Sequence, residues 1–261
     1  MKSIVKEIVE SIERETQDKT VEDLRVGLCY TAVLLNDGQL GLAYTFPSRG
    51  TSHSCCNSLE AGSLKGKNTQ EIIPYALSDN LSASSVGIAT INALVNHKIE
   101  NAIEGDILKV MDTHKSDTVG MIGFFDPLID PLKKTVKKIY IFEEKSITTH
   151  PDVYPSEKTT EILPQCDVIM VSATTLINKT IDSLFSLAKN ARETILLGAT
   201  TSLLPHIFIK RGVTILSGIQ VLDKNRVLQI VSEGGGMRDF KKSIKKVNVL
   251  LKLPISPNPL L

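Results

Sequence analysis

Between Thr118 and Gly218 the chain repeats one local pattern five times: a short apolar run that ends in a turn. The clearest instance is Asp167–Thr180, DVIMVSATTLINKT. Asp167 to Val171 reads as a short, fully buried strand, Ser172-Ala173-Thr174-Thr175 as its broken end, and Asn178 as the restart of a helix. The other strands are Thr118–Phe125, Lys138–Glu143, Thr194–Gly198 and Thr214–Gly218. Helical patterns, including Lys179–Ala191, Pro205–Arg211 and Asp223–Ser232, separate most of them. Strands alternating with helices through right-handed crossovers predict an α/β fold, a parallel sheet sandwiched between helices. Ligands of such sheets bind outside the carboxyl ends of the strands, and the hydroxylic runs fall there.

The N-terminal part has a different character. Ile4, Val5, Ile8, Val9 and Ile12 form one stripe of an amphipathic helix. Leu24–Leu35 and Gln39–Phe46 read as two strands of a hairpin joined by Asn36-Asp37-Gly38. Pro47–Gly66, rich in Ser, Gly and Cys, reads as an irregular loop, and two helices, Thr69–Leu77 and Ser84–Asn96, follow. Residues 1–100 are thus expected to be a smaller α+β domain and 101–253 the Rossmann-like α/β domain. Lys241–Lys252 reads as a closing helix, and 254–261, with three prolines, as a loose tail.

Composition narrows the function. Hydrophobic residues at 42% and charged residues at 23% suit a soluble globular core. A formal charge of +1 gives no global field to recruit nucleic acid or acidic lipid. The chain has no run of about 18 apolar residues, so no membrane span is expected, and MKSIVKEIVESIERE is too acidic for a signal-peptide core. A cytoplasmic protein follows, with Cys29, Cys55, Cys56 and Cys166 reduced.

The glycine turn TVGMIGFFD carries Gly120 and Gly123 but lacks the third glycine of a dinucleotide fingerprint. Phe124, Phe125 and Pro127 fill the turn, so NAD has no support. Glu143, twenty residues beyond Gly123, ends the second strand, where an acid of a Rossmann-like domain accepts hydrogen bonds from ribose hydroxyls. A solvated strand-end carboxylate explains it equally well. The runs Ser172–Thr175 and Gly198–Ser202 offer hydroxyls and close backbone approach to a ligand, although capping and turn chemistry favour the same residues. Asn178 and Thr180 open the next helix, as caps or with the Asn178 amide facing a ligand. Gly234–Gly236 reads as a linker or hinge.

His53, Cys55 and Cys56 form the compact cluster of soft donors, the candidate ligands for a heavy or transition metal, without the spacing of a structural zinc site. No Ser-His-Asp order or HExxH motif supports a hydrolase or metalloprotease.

Several segments taken together resemble one family. They are MIGFFDPLI (Met121–Ile129), DVIMVSATTLINKTID (Asp167–Asp182), LLGATTSLLP (Leu196–Pro205), GVTILSG (Gly212–Gly218) and SEGGG (Ser232–Gly236). GLAYTFP (Gly41–Pro47), AGSLKG (Ala61–Gly66) and GIATINAL (Gly87–Leu94) resemble the partner domain of the same family. It is the heavy-metal-chelation family, formerly a domain of unknown function. The resemblance implies an enolase N-terminal-like domain followed by a Rossmann-like domain, with a site between them. Carried onto this sequence, the ligand-binding positions are Asn92, Gly120, Gly123, Thr174, Asn178, Thr180, Thr200 and Gly218, beside Glu143 and Ser172 from the strand ends. Asp126 stands where the family's turn is expected to carry a proline.

The strand-end residues point to a small-molecule-binding protein, and the resemblance implies an enzyme of metallophore-, pterin- or metal-related metabolism, for which condensation or hydrolysis is the expected reaction class. Glu143 and Asp126 are its candidate acid–base groups. Two other readings are sequestration of a heavy metal or its chelate, and methyl transfer from an adenosine-type cofactor. The expected partners are a small molecule and, through an unpaired edge of the first-domain sheet, a second copy in a homodimer.

Overall fold

The computed structural model describes residues 2–12, 18–46, 60–143 and 150–251. Helix α1 (Ile4–Ile12) buries all five residues of the stripe seen in the sequence. Strands β1 (Val21–Val26), β2 (Tyr30–Leu35) and β3 (Leu40–Tyr44) form an antiparallel meander. The expected two-strand hairpin is therefore three strands. The long first strand breaks at Gly27, where a Cβ would stand 2.3 Å from the Val231 carbonyl, so only glycine fits the turn that returns to Tyr30. A capping box at Asn68 starts α2 (Thr69–Ile72), which tightens into a 3₁₀ turn through Leu77.

Helix α3 (Leu81–Val95) starts at Asn80, whose side chain accepts from the Ser82 and Ala83 amides. From Ala83 to Val95 every residue of α3 is buried, because the helix is covered on all sides. Its approach to β3 is close. A Cβ on Gly41 would lie 2.1 Å from the Ala89 carbonyl, and one on Gly87 would lie 2.0 Å from the Ala76 amide nitrogen.

The second sheet comprises β4 (Ile103–Glu104), β5 (Thr118–Ile122), β6 (Lys138–Glu143), β7 (Val153–Pro155), β8 (Val168–Ser172), β9 (Glu193–Leu197), β10 (Ile215–Val221) and β11 (Ile244–Leu250). Among the described residues the strand order is β4-β11-β10-β9-β8-β5-β6-β7, with β7 through β10 parallel and β11 and β4 antiparallel. The parallel part has the doubly wound order, and its direction of winding reverses between β5 and β8. The helices of this part are α4 (Asp126–Thr135), α5 (Thr159–Ile162), α6 (Ile181–Leu187), α7 (Pro205–Phe208), α8 (Lys224–Ser232) and α9 (Met237–Phe240).

Alternation along the strands separates two buried faces. Met121, Ile141, Val168, Met170 and Ile195 meet Leu128, Ile129 and Leu132 of α4. On the opposite face Ile169, Val171, Leu196 and Leu216 join α6 and α7, and the same cluster continues into Ile4, Ile8, Val86 and Ile91. Leu34, Leu40 and Leu42 of the small sheet pack on Val227, Leu228 and Val231 of α8. The small sheet is thus clasped between its own α3 and a helix from the far end of the chain.

The expected closing helix at Lys241–Lys252 is instead β11. Ile244, Val247 and Leu250 have helical spacing, but the β-branched residues favour extended backbone, and pairing with β10 from Val221↔Ile244 to Ile215↔Leu250 decides the matter. The tail 254–261 lies outside the described residues.

Asp117, just before β5, closes the opposite end of the sheet from the hydroxylic turns. Its buried carboxylate accepts from both terminal nitrogens of Arg192, at 3.1 and 2.8 Å, and from the His114 amide at 2.6 Å. The Arg192 guanidinium holds this carboxyl below the usual carboxylate range. Its stabilisation is complete above the unfolded-state carboxylate pKa and is lost as pH falls through the lower folded value. Asp117→Ala is expected to cost about 2 kcal/mol at neutral pH in urea unfolding. The difference from the unaltered protein should shrink as pH falls below about 4, where the unfolded carboxyl protonates first and the folded one follows at lower pH.

Candidate functional site

The turns that follow β5, β6 and β8 converge on one cavity of about 580 Å³. Gly123 follows β5 with φ +92°, and its amide donates to the Phe142 carbonyl at 2.9 Å. A Cβ there would press on Ser172 at 3.1 Å, so glycine lets the first and third turns touch. Glu143 ends β6, half-buried at the cavity wall. Ser172 ends β8, and its hydroxyl is 2.9 Å from that of Thr174. The Thr175 hydroxyl turns back to the Ser172 carbonyl at 2.6 Å.

Asn178 shapes the entry to α6. Its side-chain oxygen accepts from the Thr180 amide at 3.2 Å and from the Thr180 hydroxyl at 2.7 Å. Between them Lys179 takes φ +63°, a left-handed conformation that ordinarily falls to glycine. Its ammonium holds that turn by donating to the Ile177 carbonyl at 2.8 Å and to the Ser84 hydroxyl on α3. Burial pulls the Lys179 pKa down to about 8.

The small sheet supplies the remaining wall through Tyr30, Tyr44 and Phe46. Tyr30 and Tyr44 are cross-strand partners with ring centroids 6.0 Å apart, edge to face, and Tyr44 meets Phe46 in the same way at 5.2 Å. Burial, reinforced by Tyr44 and Cys29, pushes the Tyr30 phenol far above its ordinary pKa. It remains a neutral hydroxyl at any physiological pH. Sequence reasoning missed these aromatics. They alternate along plain strand sequence, and no motif distinguishes them from core residues.

A neighbouring compartment of about 350 Å³ shares Tyr30, Phe124, Phe125 and Met237 with the cleft. Gly218, Asp126, Gly198 and Ala199 border it. Asp126 pairs with Arg238 at 3.4 Å on the rim. Helix α4 opens with this carboxylate followed by Pro127. A diphosphate needs bare amides at that position.

Three expected ligand contacts stand elsewhere. Gly120 lies inside β5, where a Cβ would strike Leu163 at 2.6 Å, so this glycine serves strand–helix packing. Beside it the buried Cys166 thiol is pushed up to about 12 by its surroundings, burial foremost. Asn92 is 1% exposed. Its amide donates to the carbonyls of Leu42 at 2.8 Å and Thr200 at 3.1 Å, and its oxygen accepts from the Ser202 hydroxyl at 2.6 Å. The Thr200 hydroxyl accepts from the Tyr44 amide at 2.9 Å. The second hydroxylic run therefore joins the two parts of the chain, while the first lines the cleft. His53, Cys55 and Cys56 lie outside the described residues.

Cleft residues offer one carboxylate, hydroxyls, an amide, aromatic rings and a single soft donor, the Met237 thioether, too few soft ligands for a heavy metal. Among the described residues no three His, Cys, Asp or Glu side chains group so as to hold a metal ion. The described part of the chain does not by itself fit a heavy-metal centre. No described helix is long and apolar enough to cross a membrane.

Two family models, both described as "Putative heavy-metal chelation", match residues 106–250 and 9–95, and the chain belongs to this family. An uncharacterised protein of Methanocaldococcus jannaschii is 28% identical over 253 residues, 93% of this chain and 96% of that one. A crystal structure of a family member of unknown function from Pyrococcus horikoshii superposes with a TM-score of 0.83. Its identity is 26%, over 95% of this chain and 99% of that one. A structure from Desulfitobacterium hafniense, at 24% identity, shares the fold with a TM-score of 0.78, over 94% of this chain and 98% of that one.

Asn92→Ala would strand two buried carbonyls and the Ser202 hydroxyl. Urea unfolding is expected to show a loss of about 3 kcal/mol, the signature of a structural residue.

Proposed function

We propose that this protein binds a small, hydroxyl-bearing organic molecule in the cleft at the ends of β5, β6 and β8. The molecule belongs to metallophore-, pterin- or other metal-related metabolism. One observation carries the reading. Glu143, Ser172, Thr174, Asn178 and Thr180 line one cavity, against an aromatic wall contributed by the small sheet. Carboxylate and hydroxyl oxygens there accept from and donate to a polyol, and the rings of Tyr44 and Phe46 cover its apolar face. The neutral Tyr30 phenol supplies a donor that does not titrate.

Such a site suits a chelating molecule or its precursor better than a bare ion, which reconciles the family description with the oxygen-rich cleft. A condensation or hydrolysis of the bound molecule would use Glu143 as its acid–base group, with Asp126 at the rim of the adjoining compartment. The family description also favours direct metal capture through His53, Cys55 and Cys56. Elemental analysis of protein purified without added metal separates the two, since stoichiometric zinc, copper or nickel supports capture. Glu143 at the end of the second parallel strand also suits an adenosine-type cofactor, and calorimetry with S-adenosylmethionine tests that reading.

A thermal-shift screen of hydroxylated metabolites is expected to yield a ligand. Asn178→Ala should abolish its binding, and Glu143→Gln should weaken it about tenfold, the equivalent of ~1.4 kcal/mol. Unchanged affinity in both variants would remove the ligand from this cleft.

A further inference from the structure

A separate cavity of about 350 Å³ lies between two unpaired strand edges. One edge is β3, the outer strand of the small sheet. Leu35 donates to Gln39 at 2.8 Å, which sets the alternation, so Gly41 and Ala43 bond to β2 while Leu40, Leu42 and Tyr44 turn their main chain outward. Tyr44 meets Thr200, and the Leu42 carbonyl meets Asn92, which closes one end of the gap. The other edge is β10, which runs on to Val221 although its pairing with β9 ends at Ser217. Leu222 donates to Ser243 at 2.8 Å, which turns the main chain of Ile219 and Val221 away from β11 and into the gap.

Leu40, Leu42 and Ile219 are buried residues, yet among the described residues the amides of Leu40, Leu42, Ile219 and Val221 have no hydrogen-bond acceptor. Buried main-chain donors are almost always satisfied, by protein, water or ligand.

The charge of the cavity has one sign. Lys224 and Lys245 line it, and neither has an ion-pair partner among the described residues. The Lys224 ammonium reaches over Gly38, 2.9 Å from where a Cβ would stand, and Gly38 has φ +84°, so the residue under the ammonium is bare backbone. His97 also lines the cavity, with Nδ1 3.0 Å from the Ala93 carbonyl, which leaves Nε2 as its other polar atom. The nearby carboxylates are engaged. Asp37 accepts from Lys19 and from the Gln39 amide, and Asp223 accepts from the Arg226 amide.

We propose that this gap is a second ligand site, separate from the cleft, that takes a small anion bearing a carboxylate or a phosphate. Lys224 and Lys245 neutralise it, and the free amides of the two strand edges donate to its oxygens. It shares no lining residue with the cleft.

Calorimetry on the full chain with two probes, inorganic phosphate and succinate, tests the site and distinguishes the two chemistries. At least one probe should bind, and Lys224→Ala/Lys245→Ala should weaken it about tenfold or more while leaving the melting temperature in anion-free buffer unchanged. Each single lysine variant should lose part of the affinity, which guards against a double variant that misfolds. Glu143→Gln should bind the probe as the unaltered protein does. Absence of binding for both probes, equal binding by the double variant, or loss of binding in Glu143→Gln would each overturn the proposal.

Discussion

Two asparagines, Asn92 on α3 and Asn96 capping its C-terminus, hold the molecule together. Asn92 bridges β3 to the turn after β9, and Asn96 donates to the Thr201 carbonyl at 2.9 Å and accepts from the Leu203 amide at the same distance. Gln220 of β10 then donates to the Asn96 carbonyl at 2.7 Å. These four asparagine side-chain bonds are buried, where an unmet partner is costly. They orient the small sheet over the strand ends of the large one, and the position of Tyr30 and Tyr44 at the cleft follows from them. The apolar core alone would tolerate a slide of one layer over the other. A ladder of directional bonds does not.

The doubly wound order fixes the place of the cleft, and its contents fix its character. At the switch point between β5 and β8 a ligand meets the ends of three strands at once. Gly123 is the point of closest approach, because it alone permits the β5 turn to rest on Ser172. Aromatic rings then form a partition, with Phe124, Phe125, Tyr30 and Met237 facing both compartments. The polar side presents Glu143 and hydroxyls, and the other side is floored by Gly198 and Ala199. A molecule that used both would need a hydroxylated half and an apolar half.

Much of this architecture was legible in the sequence, since short buried strands separated by helical patterns leave few alternatives to a parallel sheet. Lys138–Glu143 is a strand with the expected bounds, and the α1 stripe is buried in full. The strand β11 was hidden because its apolar spacing imitates a helix, and only the vacant edge of β10 reveals the choice. The two hydroxylic runs posed a harder problem. Ser172–Thr175 and Gly198–Ser202 carry the same chemistry, yet the hydroxyls of the first face a cavity and those of Thr200, Thr201 and Ser202 are taken up by bonds to Tyr44, Ser217 and Asn92. Which run is covered depends on where the first hundred residues dock, a long-range fact with no local signature. Tyr30 and Tyr44 were invisible for the same reason.

The large sheet also ends bluntly on both sides. β4 has two residues, and β7 has three and finishes in Pro155, which has no amide to offer. A long run of parallel strands rich in Val and Ile is the material from which cross-strand aggregates grow, and a growing end needs an exposed ladder of donors and acceptors. Among the described residues each terminus of the sheet is too short to template another strand. The most adhesive segments, such as Val168–Ser172, are sealed in the interior rather than displayed at a margin.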